Sequence, residues 1–169
     1  MEARMKDGHL IRAATFEDAE AIARIYNWYI EHTAITFEES LIDAAIMRER
    51  ICIEDATRLW LVLEIDNVVQ RYACAARWKD RSAYRFVREV SIYLDQSAIG
   101  HGHGKRLLAA LLDVLRETPI HLLIAGISLP NDASIGLHEA FGFEHVGDFS
   151  EVGFKFNEYL DVGYWQLKL

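Results

Sequence analysis

The sequence predicts an α/β fold of the α+β kind, with a mixed sheet rather than a doubly wound parallel one. Three features of the chain predict it. Strand-like segments come early, and the order then runs strand–helix–strand–helix–strand–strand. Two apolar runs, Leu59 to Ile65 and His121 to Ile127, have strand length. Between them Leu107, Leu108, Leu111, Leu112 and Leu115 mark a strongly amphipathic helix.

Each element has its own signal. Leu10 to Ala13 reads as a short first strand. Thr15 is placed as a helix N-cap, with Glu17 and Asp18 in the first turn, where negative charge suits the helix dipole. Ile22, Ile25, Tyr26 and Tyr29 then recur at helical spacing. A second helix is expected over Leu41 to Ile53, through Ile42, Ala45, Ile46 and Arg50. Asp66-Asn67 reads as a hairpin turn joining Leu59–Ile65 to a partner strand, Val68 to Trp78. Glu89 to Leu94 alternates as a strand does, with Val90, Ile92 and Leu94 on one face. Ser134 to Phe141 is a short helix stopped by Gly142. Glu144 to Val152 and Tyr159 to Leu169 close the chain as strands.

A length of 169 residues suits one domain with a real core, and no linker, repeat or low-complexity tract divides it. Apolar residues make up 51% and charged residues 26%, an ordinary balance for a soluble protein. A formal charge of −8 argues against a nucleic-acid binder, which usually presents a basic face. It leaves room for an anionic cofactor held by local cations. Two cysteines, Cys52 and Cys74, are too few for a disulfide scaffold and sit in apolar runs as buried thiols. Met1 to His9 is charged, lacks an apolar core of signal-peptide length, and is expected to be a flexible N-terminus. No stretch approaches the ~18 apolar residues of a membrane span. A cytoplasmic location is therefore expected.

The segment Asp95 to Arg106, DQSAIGHGHGKR, joins a strand to a helix. Alternating glycines let backbone amides converge without side-chain obstruction, and a helix N-terminus adds partial positive charge. Lys105 and Arg106 oppose the helix dipole unless an anion lies nearby. Three phosphate motifs compete. A P-loop needs one more residue between its glycines and a Ser or Thr after the Lys, where this chain has Arg106. A dinucleotide fingerprint needs GxGxxG near the first βα unit, and this is GxGxG far from it. The coenzyme A loop of acyltransferases, Q/R-x-x-G-x-G/A, fits Gly102 and Gly104 but meets Ile99 at its first position. A plain flexible turn is the competing structural reading. A metal at His101 and His103 lacks further ligands, so no metal is expected.

Four ordered segments extend the comparison over the chain from about Leu10 to Leu169. They are Trp78-Lys79-Asp80-Arg81-Ser82-Ala83-Tyr84, Glu89-Val90-Ser91-Ile92-Tyr93-Leu94, Ile127 to Ser134 with Leu137 to Phe143, and Gly153-Phe154-Lys155 with Asp161 to Gln166. On these the chain resembles the GNAT superfamily of acetyl-coenzyme A N-acetyltransferases, and within it the phosphinothricin acetyltransferase family. The resemblance implies a mostly antiparallel sheet of about seven strands flanked by about four helices. It also implies a splayed central pair, here Glu89–Leu94 and His121–Ile127, that receives the pantetheine arm. Backbone groups of Ile92, Tyr93 and Leu94 would pair with the arm, Gly100, His101, Gly102, His103, Gly104 and Lys105 would hold the pyrophosphate, and Asn131 would contact the arm. A homodimer is implied as well. Departures are Ile99 and the pair Gln70-Arg71, where relatives usually carry a glycine.

Amine acetylation needs an unprotonated nitrogen, so a base must take the ammonium proton. The resemblance places that base at Glu89, against the alternative of a solvated strand-end glutamate. His138 stands where many relatives carry a tyrosine beside the leaving thiolate, and it can act as acid, base or dipole; its alternative is a helix histidine bonded to a carbonyl. Lys79, Arg81 and Tyr84 match a substrate-side segment, and arginine can grip a carboxylate through two parallel bonds. Phe37 matches an aromatic position in the acceptor pocket, and Lys155 is expected to add a charge there. The expected reaction is acetylation of the α-amine of a small amino acid or analogue, such as phosphinothricin or methionine sulfoximine or sulfone. Other acceptors (a polyamine, an aminoglycoside or a peptide) and a non-catalytic acyl-coenzyme A module are the alternatives. Lys79 and Arg81 disfavour cationic acceptors.

Overall fold

A computed structural model describes residues 2–4, 9–51, 59–95 and 103–169. Its strands form a single sheet: β1 (Glu2–Arg4), β2 (Leu10–Ala13), β3 (Leu59–Ile65), β4 (Val68–Arg77), β5 (Val87–Leu94), β6 (Leu122–Ser128), β7 (Glu144–Lys155) and β8 (Glu158–Lys168). The four helices are α1 (Ala19–His32), α2 (Ala44–Ile51), α3 (His103–Arg116) and α4 (Asp132–Glu139). Strand order across the sheet is β1-β2-β3-β4-β5-β6-β8-β7, and every pairing is antiparallel except β5 with β6. The seven expected strands and four expected helices are present. The eighth strand is β1, whose pairing of Glu2–Arg4 with β2 replaces the expected flexible start at those positions.

Alternation along the strands divides the core between two faces of the sheet. Leu61, Leu63, Ala73, Ala75 and Val90 face α3, whose Leu107, Leu108, Leu111, Leu112 and Leu115 are all buried. Val62, Tyr72 and Cys74 face the other way, against Ile22, Ile25, Tyr26 and Met47 of α1 and α2. The β3–β4 hairpin turns at Asp66 and Asn67, both at positive φ (52° and 62°), the twist a two-residue turn requires. Phe156 and Asn157 repeat this between β7 and β8 (53° and 64°).

Boundaries differ from expectation where a side chain caps an end. Thr15 is followed by a 3-10 turn, Phe16–Asp18, before α1 begins. Asp18 accepts from the Thr15 N–H at 2.7 Å and from Arg12, which also pairs with Glu64. Helix α2 starts at Ala44 rather than Leu41, because the Asp43 carboxylate accepts from the Ile46 N–H at 2.8 Å. Residues 52–58, the expected end of that helix and Cys52 included, lie outside the described residues. Helix α4 starts early for the same reason: Asn131 Oδ1 accepts from the Ser134 N–H at 3.1 Å. Its C-terminal turn closes at Gly142, with φ +85°.

Candidate active site

The site is built where β5 and β6 part. Their parallel ladder covers only Val87↔Leu122, Arg88↔Leu123 and Glu89↔Ile124, although β5 runs on to Leu94 and β6 to Ser128. This is the expected splay. It opens a cleft of about 240 Å³ between Val90–Leu94 and Ala125–Ser128, roofed by Asn131, Ser134, Leu137 and His138 of the α4 region. Two further chambers meet it at Ser91 and Tyr93. One, of about 280 Å³, is walled by Phe37, Gly126 and Tyr164; the other, of about 360 Å³, by Tyr26, Trp60 and Tyr72.

Glu89 borders both of these chambers. It is half-buried, and among the described residues no hydrogen bond or salt bridge engages its carboxylate. Burial alone pushes its carboxyl above the ordinary range. Gly126 of β6 lets the strands pass there: a Cβ at that position would stand 3.3 Å from Glu89 Oε1 and 3.2 Å from the Tyr164 ring. A glycine inside an apolar strand is the sequence signal that could have revealed this approach.

The backbone of β5 is presented unevenly. Tyr29 Oη donates to the Leu94 carbonyl at 2.8 Å and accepts from the Leu94 N–H at 3.2 Å, so both groups of Leu94 point away from β4. Antiparallel pairing alternates, so Tyr93 turns its N–H and C=O to β4 while Ile92 turns its own into the gap. Of the three expected backbone positions, Ile92 therefore turns its N–H and C=O to the cleft, Leu94 meets it through Tyr29, and Tyr93 lines the cleft while its backbone groups turn to β4.

His138 is buried, 4% exposed, and packs edge-on against Phe143. Its Nδ1 lies 2.8 Å from the Ser134 carbonyl, which can only accept, so Nδ1 carries the proton. Nε2 is then a lone pair, buried without a protein partner in the wall of the cleft. Burial lowers the imidazole's pKa, opposed by the bond to Ser134, and keeps the ring neutral. The alternative of a helix histidine bonded to a carbonyl describes its Nδ1, and the ring also stands in the wall of the cleft.

The glycine turn is only partly described. Gly100, His101 and Gly102 lie outside the described residues, as does Ile99, while His103, Gly104 and Lys105 form the first turn of α3. That turn contains no acidic residue, and Lys105 is exposed.

The acceptor side departs from expectation. Phe37 does line the chamber beside Glu89, its ring lying directly over Gly153 of β7. Lys155 does not reach that chamber. Its ammonium donates to the Thr33 and Thr36 carbonyls, each at 2.8 Å, and so fixes the segment that carries Phe37. Lys79 and Arg81 are exposed and Tyr84 is half-buried; none of the three borders a chamber around Glu89. Lys79 stays near its rim, since it sits 5.2 Å from the Trp78 ring and Trp78 packs edge-on against Tyr164 at 5.6 Å. Sequence reasoning missed Tyr29, Glu38, Arg50 and Tyr164 as site residues. Helical or strand periodicity assigns the first, third and fourth to elements and gives no sign that they turn towards one place.

A family model described as an acetyltransferase (GNAT) domain matches residues 11–163. An L-methionine sulfoximine/L-methionine sulfone acetyltransferase of Salmonella typhimurium is 35% identical over 163 residues, 94% of each chain. A phosphinothricin N-acetyltransferase of Alcaligenes faecalis is 38% identical over 154 residues, 90% of this chain and 78% of the relative. Among solved structures, a GNAT superfamily phosphinothricin acetyltransferase from Sinorhizobium meliloti in complex with acetyl-CoA superposes with a TM-score of 0.90 at 34% identity. That match covers 94% of this chain and 87% of the other.

Proposed function

This chain belongs to the GNAT acetyltransferase family and is an acetyl-CoA-dependent N-acetyltransferase; from that premise we propose that its acceptor is the α-amine of a small amino acid or analogue, of the phosphinothricin or methionine sulfoximine and sulfone type. The observation that carries the reading is the parting of β5 and β6 just beyond Glu89, which leaves a carboxylate beside a cleft with the shape for an extended arm.

Acetyl-CoA supplies an electrophilic thioester, and this chain's residues do the rest. Glu89 accepts the ammonium proton, directly or through water, and its raised pKa makes it a better base near neutrality. The Ile92 N–H, turned into the gap, meets negative charge building on the acetyl oxygen. As the C–N bond forms and the C–S bond breaks, the departing sulfur takes up the second proton of the attacking nitrogen, and the lone pair at His138 Nε2 accepts a hydrogen bond from that thiol or from an amide of the arm. Asn131, with Oδ1 used in capping, has its Nδ2 donors for the same arm. The pyrophosphate is assigned to Gly100–Lys105 at the start of α3. Phe37 lines the acceptor side, while Lys79 at the rim, with Arg81 and Tyr84 following it in the chain, draws in an anionic acceptor.

A cytoplasmic location and a homodimer complete the proposal. No helix among the described residues is long and apolar enough to cross a membrane. Edge strand β7 and its neighbour expose Phe149, Phe154 and Tyr159, the surface assigned to a second copy. The test is thiol release from acetyl-CoA across amino acids, sulfoximines, phosphinic analogues, polyamines and aminoglycosides. Turnover is expected with the amino-acid analogues, and Glu89→Gln should lower it by about 10²–10⁴-fold. Cofactor binding without turnover on any amine would sink the reading.

A further inference from the structure

Edge strand β7 does not run evenly along β8. Phe149 pairs with Val162 and Gly153 with Leu160, so Ser150, Glu151 and Val152 all stand opposite Asp161. An ordinary bulge sets two residues against one, and this one is longer. Side chains alternate along a strand, so in an unbroken β7 Val152 would fall on the opposite face from Phe149. Phe149 packs edge-on against Tyr164 at 5.5 Å, on the face that carries the chamber of Phe37 and Glu89. Val152 nevertheless borders that same chamber, beside Val162 and Tyr164. The bulge has re-aimed it.

One carboxylate holds the bulge. Asp161 Oδ1 accepts from the Glu151 N–H at 2.7 Å and from the Ser150 hydroxyl at 3.1 Å. Glu151 is thereby kept at φ +54°, in the left-handed region where a Cβ crowds the backbone. Such strain persists only where surrounding contacts over-determine it, and it gathers at ligand sites. Asp161 is itself fixed from the other side. Its carbonyl accepts from the Leu129 N–H at 2.9 Å, just past the end of β6, and the next residue, Val162, pairs with Ser128. Ser128 and Val162 both line the chamber. The outer wall is thus tied to the strand that borders the cleft.

Among the described residues, Glu89 is the only charged side chain lining this chamber of about 280 Å³. Beyond the amine, selection there works by size. Resting on the amino-acid reading above, we propose that Asp161 is a positioning residue for acceptor selectivity. Through the bulge it holds Val152 as a wall that limits the width of the acceptor's side chain. Asp161 acts only through Val152 and takes no part in proton transfer. Without the clamp the bulge relaxes, the wall retreats, and wider acceptors gain on narrow ones.

The experiment compares wild type, Asp161→Ala and Asp161→Asn, with L-methionine sulfone and the bulkier L-phenylalanine as acceptors at saturating acetyl-CoA. The readout is the ratio of the two kcat/KM values. Asp161→Ala is expected to lower the preference for the sulfone about ten-fold, the discrimination that one methylene makes in an apolar pocket. Asp161→Asn keeps an oxygen that accepts from both donors, so its ratio should stay within about two-fold of wild type. Partial unfolding does not imitate this pattern, because a ratio taken on one sample is independent of the folded fraction. An unchanged ratio in Asp161→Ala, or an equal change in both variants, overturns the inference and leaves the reaction standing. Methyl NMR signals of Val152, assigned with Val152→Ala, give a readout without turnover. L-Methionine sulfone should shift them in wild type and Asp161→Asn, and less in Asp161→Ala; equal shifts in all three also overturn the inference. The expected shifts without acetyl transfer to any amine would refute the reaction and leave the positioning role standing. No shift and no turnover would refute both.

Discussion

Glu89 is kept half-buried beside Gly126 with no cation to pair with it among the described residues, and that placement has a thermodynamic cost. Its folded pKa is raised, so between the ordinary and the raised value the folded state binds more protons than the unfolded state. Stability from this group is full at low pH and falls as pH rises through the folded pKa. Glu89→Gln, neutral at every pH, should therefore be more stable than wild type at pH 7 and lose that advantage towards about pH 4, as thermal melts across pH would record. Equal melting at both pH values would show that burial is not what tunes this carboxylate. His138 shifts the other way. Burial disfavours the imidazolium, so the ring should stay neutral with the proton on Nδ1 at pH 6.5, read from its ring ¹⁵N shifts. A half-charged ring at that pH would allow it to serve as an acid and would contradict the acceptor role. Neither environment could be read from the sequence. Glu89 and His138 were found as residue types at family positions, but burial and tautomer depend on Gly126 and Ser134, which are remote from Glu89 or hidden in a helical turn.

At the scale of elements, the segment between α1 and α2 is held by β7 as well as by its own side chains, Thr33 Oγ1 and Thr36 Oγ1 accepting from the Ile35 and Glu38 N–H groups. Lys155 draws in the Thr33 and Thr36 carbonyls, and the Tyr26 hydroxyl meets Thr36 Oγ1 at 2.7 Å. Lys155→Met would leave those carbonyls without their donor and should cost on the order of 2 kcal/mol in chemical unfolding. Gly153 is the second anchor. A Cβ there would overlap the Phe37 ring, so Gly153→Ala should displace Phe37 and raise the acceptor KM while leaving the KM for acetyl-CoA unchanged. A shift confined to acetyl-CoA would argue that Phe37 faces the wrong substrate. Element types were legible because periodicity and turn residues agree, as at Asp66-Asn67. Ends were less legible: Asp43 and Asn131 each move a helix start by satisfying one backbone N–H, a choice that hydrophobic periodicity does not register. The use of Lys155 was misread because a lysine on a closing strand gives no sequence sign of which carbonyls fold back to meet it.

Across the whole molecule, one parallel pairing in an otherwise antiparallel sheet makes the fold and the site the same event. The sheet continues past the parting through β8 and β7, which places edge strand β7 at the surface with its Phe149 and Phe154 exposed beside Tyr159 of β8. If that face joins two copies, Phe149→Asp should halve the mass seen by analytical ultracentrifugation, and an unchanged mass would remove this surface from consideration. The order of segments made the sheet architecture legible. The parting itself came only from family resemblance, because nothing in the composition of β5 or β6 announces where a ladder stops.

A strand edge left open inside a sheet is also a template for any other extended chain, including a neighbour's. At Leu94 the protein does not leave it open: the Tyr29 hydroxyl occupies both backbone groups at once, as donor and acceptor. In the resting chain a side chain thus stands in for the guest, and an arriving arm that pairs there competes with it for bonds worth about 1 kcal/mol each. The same hydroxyl that keeps the edge from sticking sets a threshold for entry, admitting only a ligand with enough contacts elsewhere along the gap to displace it.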